Sequence, residues 1–182
     1  MNNHKPQTKD EGLNGQAITA PCPTPCYGLS HAQLVDRARR WLKYSVVLDA
    51  RHLDGKRPRY KQRCGVVATE LVTAESETAD AIGWMQGGRV SVLIECKTSR
   101  ADFRADRNKM FRYRPWLGVG RHRFYMTPCG LVTMEELPDG WGLLEVSCRS
   151  VDVCRIGDQF HERNAAAEMA MLWSIARRAQ SS

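Results

Sequence analysis

Apolar positions along the chain fall first into a helical rhythm and then into strand rhythms. Leu34, Val35, Ala38, Trp41 and Leu42 recur on one face of a 3.6-residue turn. This predicts a helix capped by Ser30 and running to about Tyr44, with Trp41 as a core anchor. Residues 64–73 are apolar and β-branched, interrupted by Glu70, and predict a strand. Residues 79–84 predict a second, and Gln86-Gly87-Gly88 a hairpin turn. In the third, Val90, Val92, Ile94 and Cys96 alternate with Ser91, Leu93, Glu95 and Lys97.

From Ser99 the period becomes helical again, with Ser99 as cap, until Pro115 breaks it after about Arg114. Residues 121–127 and 141–147 predict two further strands, with a short helical turn within 128–138. Met169, Leu172, Trp173 and Ala176 predict a last helix from about 165 to 179, a packing element with oligomerisation as the weaker option. The order implies an α+β (mixed α/β) fold, a central mixed sheet of about five strands flanked by helices. Residues 1–28 read as a polar leader, 29–150 as the domain, and 151–182 as a C-terminal extension carrying an amphipathic helix.

Composition changes the picture mainly through charge. The chain has 182 residues, enough for one domain with a full core. It carries 27 Lys and Arg against 20 Asp and Glu, a formal +7, which points to a polyanionic partner, nucleic acid first. Residues 51–63 concentrate that charge in Arg51, Lys56, Arg57, Arg59, Lys61 and Arg63, with Tyr60 among them. Such a loop can track a phosphate backbone. Arg100, Arg104 and Lys109 extend the charge onto the helix after Ser99. No apolar run approaches a membrane span, and the first residues lack the apolar core of a secretory signal. Seven cysteines, scattered and odd in number, do not form a disulfide framework, so free thiols in a reducing cytoplasm are expected. Cys22, Cys26 and His31 carry the ligand types of a zinc half-site, but no second close pair completes it.

The chemistry concentrates at the end of the third strand. Glu95 and Lys97 project from the same face. Asp80 lies on the neighbouring strand across the Gly-Gly turn, so the hairpin brings it beside Glu95. Two converging carboxylates suit Mg²⁺, which takes oxygen ligands and keeps several waters, and Mn²⁺ can take its place. The backbone carbonyl of Cys96 offers a third oxygen. Lys97 beside them can orient water or stabilise charge on a phosphate. The plain alternative is a surface ion pair between Glu95 and Lys97 worth under about 1 kcal/mol.

The run ECKTSRADFRAD, from Glu95 to Asp106, together with Asp80, resembles the PD-(D/E)XK nuclease superfamily. It is most similar to MmcB-like DNA-repair proteins and related phage-encoded proteins. Those carry an Asp-bearing strand, a strand ending in E-[IVC]-K-[ST]-S and a helix opening R-x-D-F-x-x-D. The later GLVTMEELPDGWGLLEV resembles their C-terminal half, and the likeness covers roughly residues 30–150. It implies a restriction-endonuclease-like core and Mg²⁺-dependent hydrolysis of DNA, with Asp80, Glu95 and Lys97 catalytic. Glu70 is then a further metal-ligand candidate, and Asp102 and Asp106 are supporting residues that hold Lys109 or arginines in place or cap the helix next to the site. Ala79 stands where the superfamily loosely keeps a proline, and Asp36 fits poorly as the acid many members place on the first helix. Tyr113, Trp116 and Tyr125 are expected to fill core rather than stack on bases. Two other readings stay open: a DNA-binding module of the same fold with little or no catalysis, and a protein-interaction factor of the anti-defence kind. A homodimer would suit cutting of both strands.

Overall fold

The computed structural model describes residues 28–54, 57–58, 61–73 and 77–180. The leader up to residue 27, with Cys22 and Cys26, lies outside them, as does Arg59. Helix α1 spans His31–Tyr44. Its start is a capping box: Ser30 Oγ accepts from the Gln33 N–H, and the Gln33 side chain accepts from the Ser30 N–H. Two short strands, β1 (Leu53–Asp54) and β2 (Arg57–Pro58), pair within the basic segment.

The sheet follows: β3 (Val66–Val72), β4 (Thr78–Met85) and β5 (Val90–Cys96), then helices α2 (Arg100–Arg107) and α3 (Met110–Tyr113). Strands β6 (His122–Pro128), β7 (Gly142–Val146) and β8 (Val151–Arg155) complete it, and α4 (Ala165–Gln180) ends the described chain. The six strands lie in sequence order. Pairs β3–β4, β4–β5 and β7–β8 are antiparallel, and β5–β6 and β6–β7 are parallel. The α+β class and the flanked mixed sheet are as the sequence implies, with six strands rather than five. The sixth, β8, falls in the stretch read as an extension. Its Val151 and Val153 alternate, and both Val153 and Cys154 are buried.

The sheet is covered on both faces. Helix α1 packs on one, burying Leu34, Ala38, Trp41 and Leu42 against Ala81, Val92, Ile94, Cys96 and Phe124. Alternation sends the other set of side chains to the opposite layer, where Ile82, Leu93, Tyr125 and Leu143 meet Phe103 of α2, Trp141, and Ala167 and Met171 of α4. The Gly-Gly turn forms as expected, with φ +65° at Gly87 and +85° at Gly88.

Two expectations change. The helix expected over 99–114 is two helices, because Lys109 is extended (φ −67°, ψ 145°) between α2 and α3. Cys129 and Cys148 are disulfide-bonded, while Cys64, Cys96 and Cys154 are free thiols. The two bonded cysteines sit in turns just after β6 and β7, where strand pairing brings loops together. No helix among the described residues is long and apolar enough to cross a membrane.

Candidate active site

The last ladder pair between β4 and β5 is Ala81 with Ile94, so the next positions out are Asp80 and Glu95. Residues facing each other across an antiparallel pair point to one side of the sheet. Asp80 therefore joins Glu95 and Lys97 in the layer opposite α1. All three are buried, with Glu95 1% and Lys97 5% exposed, and Asp80 9%. This burial rules out the plain surface ion pair.

The Lys97 ammonium sits among three carboxylates. Its Nζ lies 3.2 Å from Glu95 Oε2, 3.4 Å from Asp106 Oδ1 and 3.5 Å from Asp80 Oδ2. Asp106 comes from α2, whose N-terminus is set by Ser99 Oγ accepting from the Asp102 N–H at 3.1 Å. The β4–β5 ladder has stopped at this point, and Asp80 Oδ2 takes its place by accepting the Cys96 N–H at 2.7 Å. The N–H and C=O of one strand residue point the same way, so the Cys96 carbonyl faces the same gap. His31, at the first turn of α1, brings Nε2 to 3.4 Å from Asp80 Oδ1.

A second cation, which the sequence pattern did not single out, lies beneath. Arg112 of α3 is 5% exposed. It donates to both Asp106 oxygens, from Nε to Oδ2 at 2.8 Å and from Nη2 to Oδ1 at 3.1 Å. Its Nη1 donates to Glu77 Oε1 at 3.0 Å, and Nη2 stands 3.2 Å from Glu95 Oε1. The guanidinium also lies over the Trp141 ring, 4.8 Å from its centroid. Tyr125 donates to Asp106 Oδ2 at 2.7 Å, and the exposed Lys109 reaches back to Asp106 Oδ1 at 2.8 Å. The extended residue at Lys109 explains the geometry. In an unbroken helix two residues six apart lie about 240° round the axis, so Arg112 could not return to Asp106.

The electrostatics follow from this packing. Burial pushes the Glu95 carboxyl up to about 7, against the pull of Arg112 and Lys97. Burial also opposes charge on Lys97, but Glu95, Asp106 and Asp80 outweigh it and hold its pKa above the ordinary lysine value. Asp106 stays well below the usual carboxylate range, because its hydrogen bonds and charge contacts with Arg112 and Lys97 overcome its burial. Glu95 Oε1 has a charge neighbour in Arg112 but no hydrogen-bond donor.

The remaining expected residues separate. Asp106 pairs with both Lys109 and Arg112. Asp102 is exposed at the first turn of α2, where it favours the helix dipole. Glu70 is not brought to the cluster: it sits exposed on β3 with φ +52° and lines a groove with α4. Among the cations expected on nucleic acid, Lys61, Arg63 and Arg104 are exposed. Arg57 is in β2. Arg100 is committed elsewhere, with Nη1 donating to the Leu131 carbonyl at 2.9 Å and Nη2 paired with Glu136. Asp36 pairs with Arg39 and Arg40 on the outer side of α1. Of the aromatic residues expected in the core, Tyr125 is buried there, whereas Tyr113 and Trp116 are 63% and 51% exposed.

Among the described residues, no three His, Cys, Asp or Glu side chains are arranged to hold a metal ion. Mg²⁺ does not need three, since it is commonly held by one or two carboxylates, water and substrate phosphate. Asp80 and Glu95 supply two carboxylates, and Glu95 Oε1 is a buried acceptor lacking a hydrogen bond. The donor set therefore fits a two-carboxylate seat and not a cage lined wholly by protein.

No protein-family model matches the chain, and no curated protein matches it. A solved structure of a protein of unknown function from Silicibacter pomeroyi is similar, with 28% identity over 64% of this chain and 77% of that one, at a TM-score of 0.49.

Proposed function

We propose that the chain is a Mg²⁺-dependent deoxyribonuclease whose reacting centre is Asp80, Glu95 and Lys97. The observation that carries this reading is the buried ammonium of Lys97 among three carboxylates contributed by two strands and a helix. Burying so many charges costs several kcal/mol per ion before pairing offsets it. A site of that kind, at the end of a sheet where the ladder stops, is a strong candidate for function.

A divalent ion seated by Asp80 and Glu95 would supply Lewis acidity to a phosphodiester oxygen. The protein's own residues do the rest. With its pKa raised, Lys97 serves as a cation and hydrogen-bond donor rather than as a base. It can orient an attacking water and stabilise charge growing on the phosphate. Arg112 and Asp106 position the pair from below, Arg112 against Glu95 and Asp106 against Lys97. His31 stands at the exposed side of Asp80, where a substrate would enter. The formal +7 supports a polyanionic substrate.

The test is cleavage of a panel of labelled single-stranded, duplex and branched DNAs with Mg²⁺ or Mn²⁺. Wild type should cut in a metal-dependent way, and Asp80→Ala and Lys97→Ala should abolish it. Cutting that survives Lys97→Ala removes Lys97 from the mechanism. Failure to cut any substrate would favour a binding module built on the same fold.

A further inference from the structure

Helix α3 has two sides with opposite characters. Inward it sends Arg112 to the carboxylate cluster. Outward it leaves Met110 42% and Tyr113 63% exposed, and the 3-10 turn that follows, Pro115–Leu117, leaves Trp116 51% exposed. The three are spaced by three residues. Single exposed apolar side chains are ordinary, but two large rings and a methionine at one turn are not.

The backbone beneath these rings is held in place. Arg123 is 1% exposed and spends its guanidinium on this segment. It donates to the carbonyls of Phe111 at 3.3 Å, Pro115 at 2.7 Å, Gly118 at 3.0 Å and Gly120 at 2.9 Å. Such a clamp fixes the backbone carrying Tyr113 and Trp116 ahead of any ligand, which lowers the ordering cost of binding. The same stretch of chain carries the exposed cations Arg107 and Arg114, while the exposed Lys109 is held by Asp106.

We propose that Tyr113 and Trp116 form a base-stacking platform for single-stranded DNA, with Arg107 and Arg114 on its phosphates, on the side of α3 opposite the one that faces the carboxylate cluster. Exposed rings interleaved along the chain with cations suit unpaired bases, whose faces are open, whereas a duplex has its faces already stacked. The cations beside the rings in the chain favour a polyanion, and the phosphate backbone of DNA supplies one together with bases to stack. The proposal rests on the nuclease reading for its link to catalysis, and it names the substrate class of that reading.

The test is fluorescence anisotropy with a labelled single-stranded oligonucleotide and a duplex of equal length, in EDTA so that no cutting occurs. Trp116→Ala and Tyr113→Ala should each weaken single-strand binding by about tenfold to a hundredfold and leave duplex binding unchanged. Trp116→Phe should keep most of the affinity, and a rise in salt should weaken every form. The rings are exposed, so circular dichroism should show all three variants folded. Single-strand binding that is unchanged in Trp116→Ala, or lost equally on duplex, overturns the platform. Tighter binding of single-stranded RNA of the same sequence overturns its assignment to DNA. If wild type cuts nothing while the platform passes, only the nuclease reading falls. If cutting depends on Asp80 and Lys97 while Trp116→Ala binds normally, only the platform falls.

Discussion

Lys97 Nζ stands 3.5 Å from Asp80 Oδ2, across the gap where the β4–β5 ladder ends, and so joins the two strands by charge where their backbone bonds stop. Replacing Lys97 by Met removes the ammonium and leaves Asp80, Glu95 and Asp106 in mutual repulsion. Breaking a buried ion pair in this way costs about 3–5 kcal/mol. Urea unfolding should show that loss, and added Ca²⁺ or Mg²⁺ should recover more stability in Lys97→Met than in wild type. Equal responses to the ion would show that the carboxylates do not form a cation seat.

Arg112 ties three carboxylates with one guanidinium. A lysine carries the same charge but only a point donor, and cannot bridge Asp106 in two places while reaching Glu77. Arg112→Lys should therefore lose about 3 kcal/mol or more in denaturant unfolding, as for a broken buried pair. A loss below about 1 kcal/mol would mean that the net is not needed to hold α3 against the sheet.

Two buried groups give opposite pH dependences. Burial depresses His122 from 6.5 to about 4, so between those values the unfolded chain binds more protons and stability rises with pH. At about 1.4 kcal/mol per unit, this contribution is about 3 kcal/mol, complete above pH 6.5 and lost as pH falls towards 4. Glu95 works the other way: raised from 4.5 to about 7, it is protonated more readily when folded, and stability falls as pH rises through that window. Glu77, also raised by burial, adds to the Glu95 slope, so the two carboxyls oppose His122 between pH 4.5 and 6.5. His122→Phe, which fills a site where His122 Nδ1 has no hydrogen bond, should become more stable relative to wild type as pH falls. Parallel curves for the two proteins would refute the assignment to His122.

Gly120 leads into β6 with φ +90°, and a Cβ there would stand 2.6 Å from Leu93 Cβ. Gly120→Ala meets both a left-handed backbone and a side chain on the central strand, and should cost about 2–4 kcal/mol. Thermal unfolding should show a clearly lowered midpoint. An unchanged midpoint would require β5 and β6 to part without penalty.

The strand-end triad was legible because period two fixes which side chains share a face. Asp80 followed from the glycine pair that turns the chain back on itself. Arg112 was not legible, since residues 99–114 carry an unbroken helical pattern and only the extended Lys109 re-aims it. Glu77 lay in a stretch that reads as a polar link, yet it anchors Arg112 at 3.0 Å and accepts the Val119 N–H at 3.2 Å. Tyr113 and Trp116 looked apolar enough for the core; the inward turn of Arg112 sends its neighbour Tyr113 outside, and Trp116 is exposed on the separate 3-10 turn after Arg114. β8 carried an alternation too short to stand out from the loops on either side.

The amide of Cys96 gives this chain a built-in reporter. Its hydrogen goes to the Asp80 carboxylate rather than to a backbone carbonyl of β4. Any ion or ligand that draws Asp80 away must change that single bond. In a ¹⁵N-labelled sample, the Cys96 resonance would then record occupancy of the seat directly, in a protein that need not turn over.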